Sequence, residues 1–161
     1  MITLKTFDRT PSLAELKVSY RRGRPKDTSQ TAMPFLVASP VSCEQYLRRV
    51  WDEGTIELRE EFVVLCLNGS HDVLGWIRLC TGGFNHAQVD IRLLLGVALQ
   101  TASTAIIVAH NHPSGRLKPS AEDDALTRKI ADACELVGLR LLDHIILSRD
   151  SFYSYVDNGG W

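Results

Sequence analysis

The feature that most limits the fold of this chain is an apolar run, TAIIVA (residues 104–109), that ends directly at two histidines, His110 and His112. A run with no exposed polar face predicts a strand in the interior of a sheet, buried on both sides. Because side chains alternate along a strand, the two imidazoles point to the same side where the strand ends. The segment therefore predicts a central strand with a pair of imidazoles at its exit.

Further strands are predicted on either side of this run. FVVLCLN (residues 62–68) and VLGWIRLC (residues 73–80) are joined by the turn segment NGSHD, a pattern that indicates an antiparallel hairpin. LRLLDHIIL (residues 139–147) predicts another buried strand, and SFYSYV (residues 151–156) predicts a last strand at an edge.

Three helices are predicted from their first and last residues. Ser42 is the expected N-cap of the first helix, which we expect to end at Gly54. Asp90 precedes the second helix, and Ser120 precedes the third, which stops at Gly138. Strands and helices together predict one mixed α/β domain, with helices packed on a mixed, mainly antiparallel sheet.

Residues 1–39 differ from the rest and are predicted to be an N-terminal arm or extended lead-in, with the folded domain over residues 40–161. This arm carries a basic cluster, formed by Arg21, Arg22, Arg24 and Lys26. Such a cluster is either a solvated linker or a patch that contacts phosphates. The scarcity of aromatic residues nearby favours the linker.

Composition narrows the classes of protein. A chain of 161 residues can bury a core without a metal or disulfides, so a metal here would serve function. A net charge of -1 excludes a global attraction to nucleic acid or to an acidic membrane. The four cysteines form no C-x-x-C pair, and no apolar run approaches the roughly 18 to 20 residues of a membrane helix. With no signal-peptide pattern at the start, we expect a cytoplasmic protein.

The histidine pair predicts a metal site. A loop rich in Pro and Gly follows His112 and can bring Asp123 back over the two imidazoles. His110, His112 and Asp123 form a ligand set that suits Zn²⁺, with the fourth tetrahedral position left to water. Ser120 and Asp123 also satisfy a capping box, which begins many helices that have no active site. The two interpretations can coexist.

The combined order, H-x-H, seven residues, S-x-x-D, resembles the JAMM signature of the MPN (JAB1/MPN/Mov34) metalloenzymes, at His110, His112, Ser120 and Asp123. The fuller string AHNHPSGRLKPSAEDD is similar to the bacterial RadC branch, as are REEFVVLCLN before it and LLDHIIL and FYSY after it. This similarity covers residues 40–156. It implies a cytidine-deaminase-like MPN/JAB fold of the α/β (α+β) class, with a mixed, mainly antiparallel sheet flanked by helices.

The resemblance also implies a zinc-dependent hydrolase of the JAMM type, a metallopeptidase or isopeptidase-like enzyme that uses a zinc-bound water. His110, His112 and Asp123 would be the ligands of the Zn²⁺. Ser120 would donate its hydroxyl to the oxyanion that develops during attack.

JAMM enzymes use an upstream glutamate as general base, and two candidates stand side by side here. Neighbours on a strand face opposite sides, so only one of Glu60 and Glu61 can reach the metal. RadC segments have a glutamate two positions before a phenylalanine, which is Phe62 here. We therefore expect Glu60 to be the base.

Two departures from the family pattern are visible. The longer RadC form carries an N-terminal helix-hairpin-helix region, and we expect this chain to be a short form without it. The family usually has P-R-E before the second long helix, where this chain has Ile91-Arg92-Leu93.

Two other classes of function stay open. One is a DNA-repair-associated or nuclease-like protein that acts on DNA, for which the basic residues 21–26 are the expected contact. The other is a catalytically idle MPN scaffold that binds a protein. The expected partner is an unidentified protein or peptide substrate, with DNA possible and no membrane, and the oligomeric state is open.

Other polar residues are given mostly structural roles. His71 is expected in the exposed hairpin turn, and His86 follows in a loop that can line a substrate groove. His144 is predicted to be a satisfied core histidine, while Asp143 either bonds locally or supports a ligand histidine. Asn111 faces away from the two histidines and is expected to be structural.

Overall fold

The computed structural model describes residues 35–81 and 89–161, together with the backbone of two short strands near the N-terminus. Residues 1–33 and 34–161 form two compact units. In the first unit, β1 (Thr3–Lys5) pairs antiparallel with β2 (Glu15–Lys17). The basic residues 21–26 and His86 lie outside the described residues.

The second unit mixes helices and strands along the chain. Its helices are α1 (Pro40–Val50), α2 (Ile91–Gln100) and α3 (Ala121–Leu136), followed by a 3₁₀ helix at Val156–Asn158. Its strands are β3 (Glu61–Leu67), β4 (Val73–Thr81), β5 (Ala105–Asn111), β6 (Arg140–Leu147) and β7 (Phe152–Ser154). They form one five-stranded sheet in the order β4-β3-β5-β6-β7.

The sheet confirms the predicted strands. β5 is the middle strand and is buried over its whole length, as its uninterrupted apolar run requires. β3 and β4 form the expected antiparallel hairpin, and β7 is the expected edge strand. Only β5 and β6 run parallel, connected through α3. This mostly antiparallel sheet flanked by three helices agrees with the predicted MPN/JAB fold.

The predicted start of α1 was wrong by one turn. The N-cap is Ser39, whose hydroxyl accepts a hydrogen bond from the backbone N–H of Ser42. Pro40 follows, where its fixed φ and missing N–H suit the first helical position. Ser42 is therefore the third residue of the capping box, and its hydroxyl accepts from the backbone of Ser39. The helix also ends earlier than expected, at Val50.

The other two helices begin where they were predicted. The Asp90 side chain accepts from the N–H of Arg92, and Ser120 and Asp123 form a reciprocal capping box. Gly138, with φ of 70°, follows the end of α3. No helix among the described residues is long and apolar enough to cross a bilayer.

The sheet separates two hydrophobic clusters. Leu47 of α1 packs with Leu65 and Ile107 on one face, while Val64 and Ile130 belong to the cluster beneath α2 and α3 on the other. Alternate residues of the central strands supply the two clusters, as the pleat dictates. The histidine side chains at the end of β5 lie on the α2 and α3 face.

Candidate metal centre

Four potential metal ligands come together where β3, β5 and α3 meet. Glu60 immediately precedes β3, His110 lies near the end of β5, His112 follows that strand, and Asp123 lies in the first turn of α3. One nitrogen or carboxylate oxygen from each lies within 4.8 Å of all the others. The sheet register explains this convergence, because Phe62 of β3 lies opposite His110, which brings the start of β3 to the end of β5.

The spacing of the inner donor atoms fits a small cation. His110 Nε2 lies 2.9 Å from His112 Nε2 and 3.2 Å from Asp123 Oδ1. His112 Nε2 lies 3.5 Å from Asp123 Oδ2. Bonds of about 2.0 Å in a tetrahedron place ligand atoms about 3.3 Å apart, close to these three distances.

The outer nitrogen of His112 shows how its proton is placed. His112 Nδ1 lies 2.6 Å from the carbonyl oxygen of Arg116, which can only accept a hydrogen bond. Nδ1 therefore carries a proton, and in the neutral ring the lone pair of Nε2 faces the other donors. Two imidazole nitrogens and a carboxylate that converge in this way are a donor set for a metal cation.

The electrostatics of the centre favour a positive charge beside Asp123. Burial by itself raises the pKa of Asp123, but the imidazole rings of His110 and His112 beside its carboxylate outweigh burial and hold that pKa far below its usual range. The carboxylate of Asp123 in turn raises the pKa of His112, against the effect of burial, because it favours a positive charge next to it, which a proton or a bound cation can supply. Asp123 is therefore a carboxylate at neutral pH, ready to act as a ligand.

The structure separates the two neighbouring glutamates. Glu60 belongs to the donor group, while the side chain of Glu61 is fully buried elsewhere. Its Oε1 lies 2.9 Å from Nε of Arg59, and its Oε2 lies 2.8 Å from Nε of Arg78, the latter an ion pair without hydrogen-bond alignment. The carboxylate of Glu61 is thus paired with two arginines, and of the two glutamates only Glu60 faces the centre.

Asn111, between the two histidines, holds the segment that leads into β3. Its Nδ2 donates to the carbonyl oxygens of Ile56 and Arg59, at 2.7 and 2.8 Å, and its Oδ1 accepts from the N–H of Glu61 at 2.8 Å. These bonds flank Glu60 and fix its backbone to β5. The prediction that Asn111 is structural is confirmed.

Ser120 contacts the ligand carboxylate as well as capping α3. Its hydroxyl donates to Asp123 Oδ2 at 2.6 Å and accepts from the Asp123 N–H at 3.1 Å. The same Oδ2 accepts from the Ser120 N–H at 2.7 Å. The capping box and the candidate metal centre therefore share one carboxylate, a geometry that is compatible with both interpretations of this motif.

His144 is the residue whose connection to the centre the sequence did not predict. It is a buried core histidine, as expected, but its Nε2 lies 2.7 Å from Nδ1 of His110. Its Nδ1 lies 2.6 Å from Oγ1 of Thr127. Burial, aided by the nearby His110, holds the pKa of His144 well below its usual value. The sequence shows only a histidine in an apolar strand. It does not reveal the strand order, which places β6 beside β5.

The remaining polar predictions have mixed outcomes. The carboxylate of Asp143 accepts from Ser154 Oγ and from the N–H groups of His144 and Val156, so it bonds locally rather than supporting a ligand histidine. His71 lies in the hairpin turn with a backbone φ of 64°. It is half-buried rather than exposed, and its Nε2 lies 3.3 Å from a guanidinium nitrogen of Arg140.

Comparison with known proteins finds a match over most of the chain. A family model described as RadC-like JAB domain matches residues 37–160. A UPF0758 protein of Flavobacterium johnsoniae is 43% identical over 100 residues, which are 62% of this chain and 44% of that protein. The chain thus matches less than half the length of this curated relative, whose name states no activity.

Proposed function

Because this chain belongs to the RadC-like JAB domain family, we propose that it is a zinc-dependent hydrolase of the JAMM type. Its reaction would be cleavage of an amide or isopeptide-like bond in a protein or peptide by an activated water. The observation that carries this proposal is the convergence of Glu60, His110, His112 and Asp123 at one point.

His110, His112 and Asp123 would hold the zinc. Two imidazoles and one carboxylate leave a fourth position open, the arrangement of catalytic rather than structural zinc sites. A bound Zn²⁺ supplies Lewis acidity, which lowers the pKa of water to about 7 and polarises a carbonyl oxygen. The side chains of His112 and Asp123 are 16% and 12% exposed, against 2% for His110, so substrate would approach from their side.

Glu60 would serve as the general acid and base. Its carboxylate stands within 4.8 Å of the three ligand atoms, where it can take a proton from the attacking water and return it to the leaving nitrogen. Glu61 is unsuited to this task, because Arg59 and Arg78 hold its carboxylate.

Ser120 would stabilise the oxyanion of the tetrahedral intermediate. Its hydroxyl has a single proton, which now points to Asp123 Oδ2. Donation to an oxyanion therefore requires rotation of this hydroxyl away from Asp123. The capping bond from the Ser120 N–H to Asp123 would keep the carboxylate in place during that rotation.

The alternatives have less support. Action on DNA depends on the basic residues 21–26, which lie outside the described residues, so it stays a prediction of the sequence. An idle scaffold needs no metal ligands, whereas here each ligand position of the JAMM pattern carries a residue able to bind zinc.

Metal content tests the proposal directly. Protein purified without chelator should contain about one zinc per chain, and the double variant His110→Ala, His112→Ala should contain none. His71→Ala, which removes a histidine in the hairpin turn, is the matched control and should keep the zinc. Wild-type protein that takes up no zinc at neutral pH would contradict the hydrolase and favour the scaffold.

With zinc established, peptide and isopeptide substrates should be screened with the same set of proteins. Hydrolysis that is lost in the double variant and kept in His71→Ala would support the proposal.

A further inference from the structure

A chain of hydrogen bonds runs behind the metal centre and joins two of its ligands. His110 Nδ1 lies 2.7 Å from His144 Nε2, and His144 Nδ1 lies 2.6 Å from Thr127 Oγ1. Thr127 Oγ1 lies 2.6 Å from the backbone carbonyl oxygen of Asp123. His110, His144 and Thr127 are each at most 1% exposed, so water does not compete for these bonds.

The direction of every bond in this chain follows from its last acceptor. The Asp123 carbonyl oxygen can only accept, so the single proton of the Thr127 hydroxyl is donated to it. Towards His144 the hydroxyl must then accept, which requires a proton on His144 Nδ1. One backbone carbonyl thus determines which nitrogen of a buried imidazole is protonated.

The same reasoning continues to the ligand. Tyr155 stacks on the ring of His144 at 5.0 Å and 8°, and the edge-on ring of Phe62 lies 5.8 Å away, surroundings that suit a neutral imidazole. With its proton on Nδ1, a neutral His144 accepts at Nε2. His110 must therefore donate through Nδ1, which leaves the lone pair of His110 Nε2 directed at the other ligands.

We propose that His144 and Thr127 are positioning residues that fix the tautomer and ring orientation of His110 for metal binding. The metal in this inference comes from the proposed function, whereas the arrangement of protons is argued from the hydrogen bonds alone. Metal-binding histidines commonly donate their outer N–H to a carboxylate or a carbonyl, which are fixed acceptors. His144, an imidazole, could instead become a donor to His110 by changing tautomer. Its hydrogen bond with Thr127 prevents that change.

Thr127 offers a matched pair of variants. Thr127→Val removes the hydroxyl while keeping a β-branched side chain, and Thr127→Ser keeps the hydroxyl. Without the hydroxyl, His144 can carry its proton on Nε2 and direct it at His110, which then loses its free Nε2 lone pair. Thr127→Val should weaken zinc binding about 10-fold or more in competition with a chromogenic chelator, while Thr127→Ser should stay within about threefold of the wild type.

The proton positions can be measured without metal. Long-range ¹H–¹⁵N correlation of the imidazoles is tractable in a chain with five histidines. In zinc-free wild-type protein, His144 should be neutral with its proton on Nδ1, and His110 Nδ1 should be protonated. Thr127→Val should shift His144 towards the Nε2–H tautomer, and Thr127→Ser should not.

The outcomes separate this inference from the proposed function. A proton on His144 Nε2 in the wild type, or a folded Thr127→Val variant that binds zinc as tightly as the wild type, would overturn the positioning role. If Thr127→Val does not fold, the wild-type spectrum still decides. Wild-type protein that binds no zinc but has the expected protons would contradict the proposed function and leave the hydrogen-bond chain supported.

Discussion

Phe62 lies directly opposite His110 in the antiparallel register of β3 and β5, with their rings stacked 6.2 Å apart at 10°. This pairing sets the distance along the strands between His110 and the glutamates before Phe62. A slip of one residue would turn every side chain of β3 to the other face and exchange Glu60 with Glu61. The register of two central strands therefore selects the glutamate that reaches the centre.

Glu60→Gln should abolish hydrolysis without removing the metal. The amide keeps the size of the side chain but cannot accept the proton of the attacking water, and general-base loss typically costs about 10²- to 10⁴-fold in rate. Zinc content and turnover should be measured on the same preparation. Glu57→Gln makes the same change on an exposed residue of the same segment and should leave both unchanged. Full turnover by Glu60→Gln would exclude Glu60 as the base.

Ser120→Ala should lose stability and turnover but keep zinc. Removal of an N-cap costs about 1 kcal/mol, and removal of an oxyanion donor costs about 10²- to 10³-fold in turnover. Ser39→Ala is the matched control, because Ser39 caps α1 in the same way. Both variants should lose similar stability in urea unfolding. Turnover should fall only in Ser120→Ala. An equal loss of turnover in both variants would mean that Ser120 acts only as a helix cap.

Asn111→Ala should be strongly destabilising. The substitution removes three hydrogen bonds, two of them buried, and leaves the Glu61 N–H and the Ile56 carbonyl without their partner. We expect the free energy of unfolding to fall by about 2 to 4 kcal/mol. Gln100→Ala, at the exposed end of α2, should change it by no more than about 0.5 kcal/mol. A loss below about 1 kcal/mol for Asn111→Ala would mean that water replaces these bonds.

Thiol alkylation should occur first at Cys80. Cys43, Cys66 and Cys134 are buried, and burial raises the pKa of Cys134 to about 11. Cys80 is half-buried, and its pKa is raised first by burial and then by the negative charge of Glu60. Because the thiolate is the reactive form, alkylation of zinc-free protein should be slow at pH 8 and accelerate as the pH rises.

Glu60→Gln provides the check on this cysteine. Without the negative charge, the pKa of Cys80 should fall and its alkylation at pH 8 should become faster than in the wild type. Peptide mapping after iodoacetamide treatment measures both the site and the rate. Identical rates in the two proteins would show that Glu60 does not act on Cys80.

Many elements of the fold follow from neighbouring residues along the chain. The apolar residues 105–109 form most of the buried central strand, and Asp90 and Ser120 cap the helices that their side chains predict. The error at α1 has the same local origin, because two serines three residues apart both suit an N-cap. Pro40, placed between them, decided which of the two is used.

The residues of the candidate site can be divided in the same way, into those predicted from their neighbours in sequence and those placed by the tertiary structure. His110, His112 and Asp123 are close in sequence, so strand alternation and one loop predict that they meet. His144 and Thr127 reach His110 through the pairing of β6 with β5 and the packing of α3, and Glu61 is held by Arg78 of another strand. Local preferences are carried by adjacent residues, whereas strand order and register depend on how distant apolar faces pack together. The sequence by itself determined the ligand motif, and only the tertiary structure decided which side chains orient it.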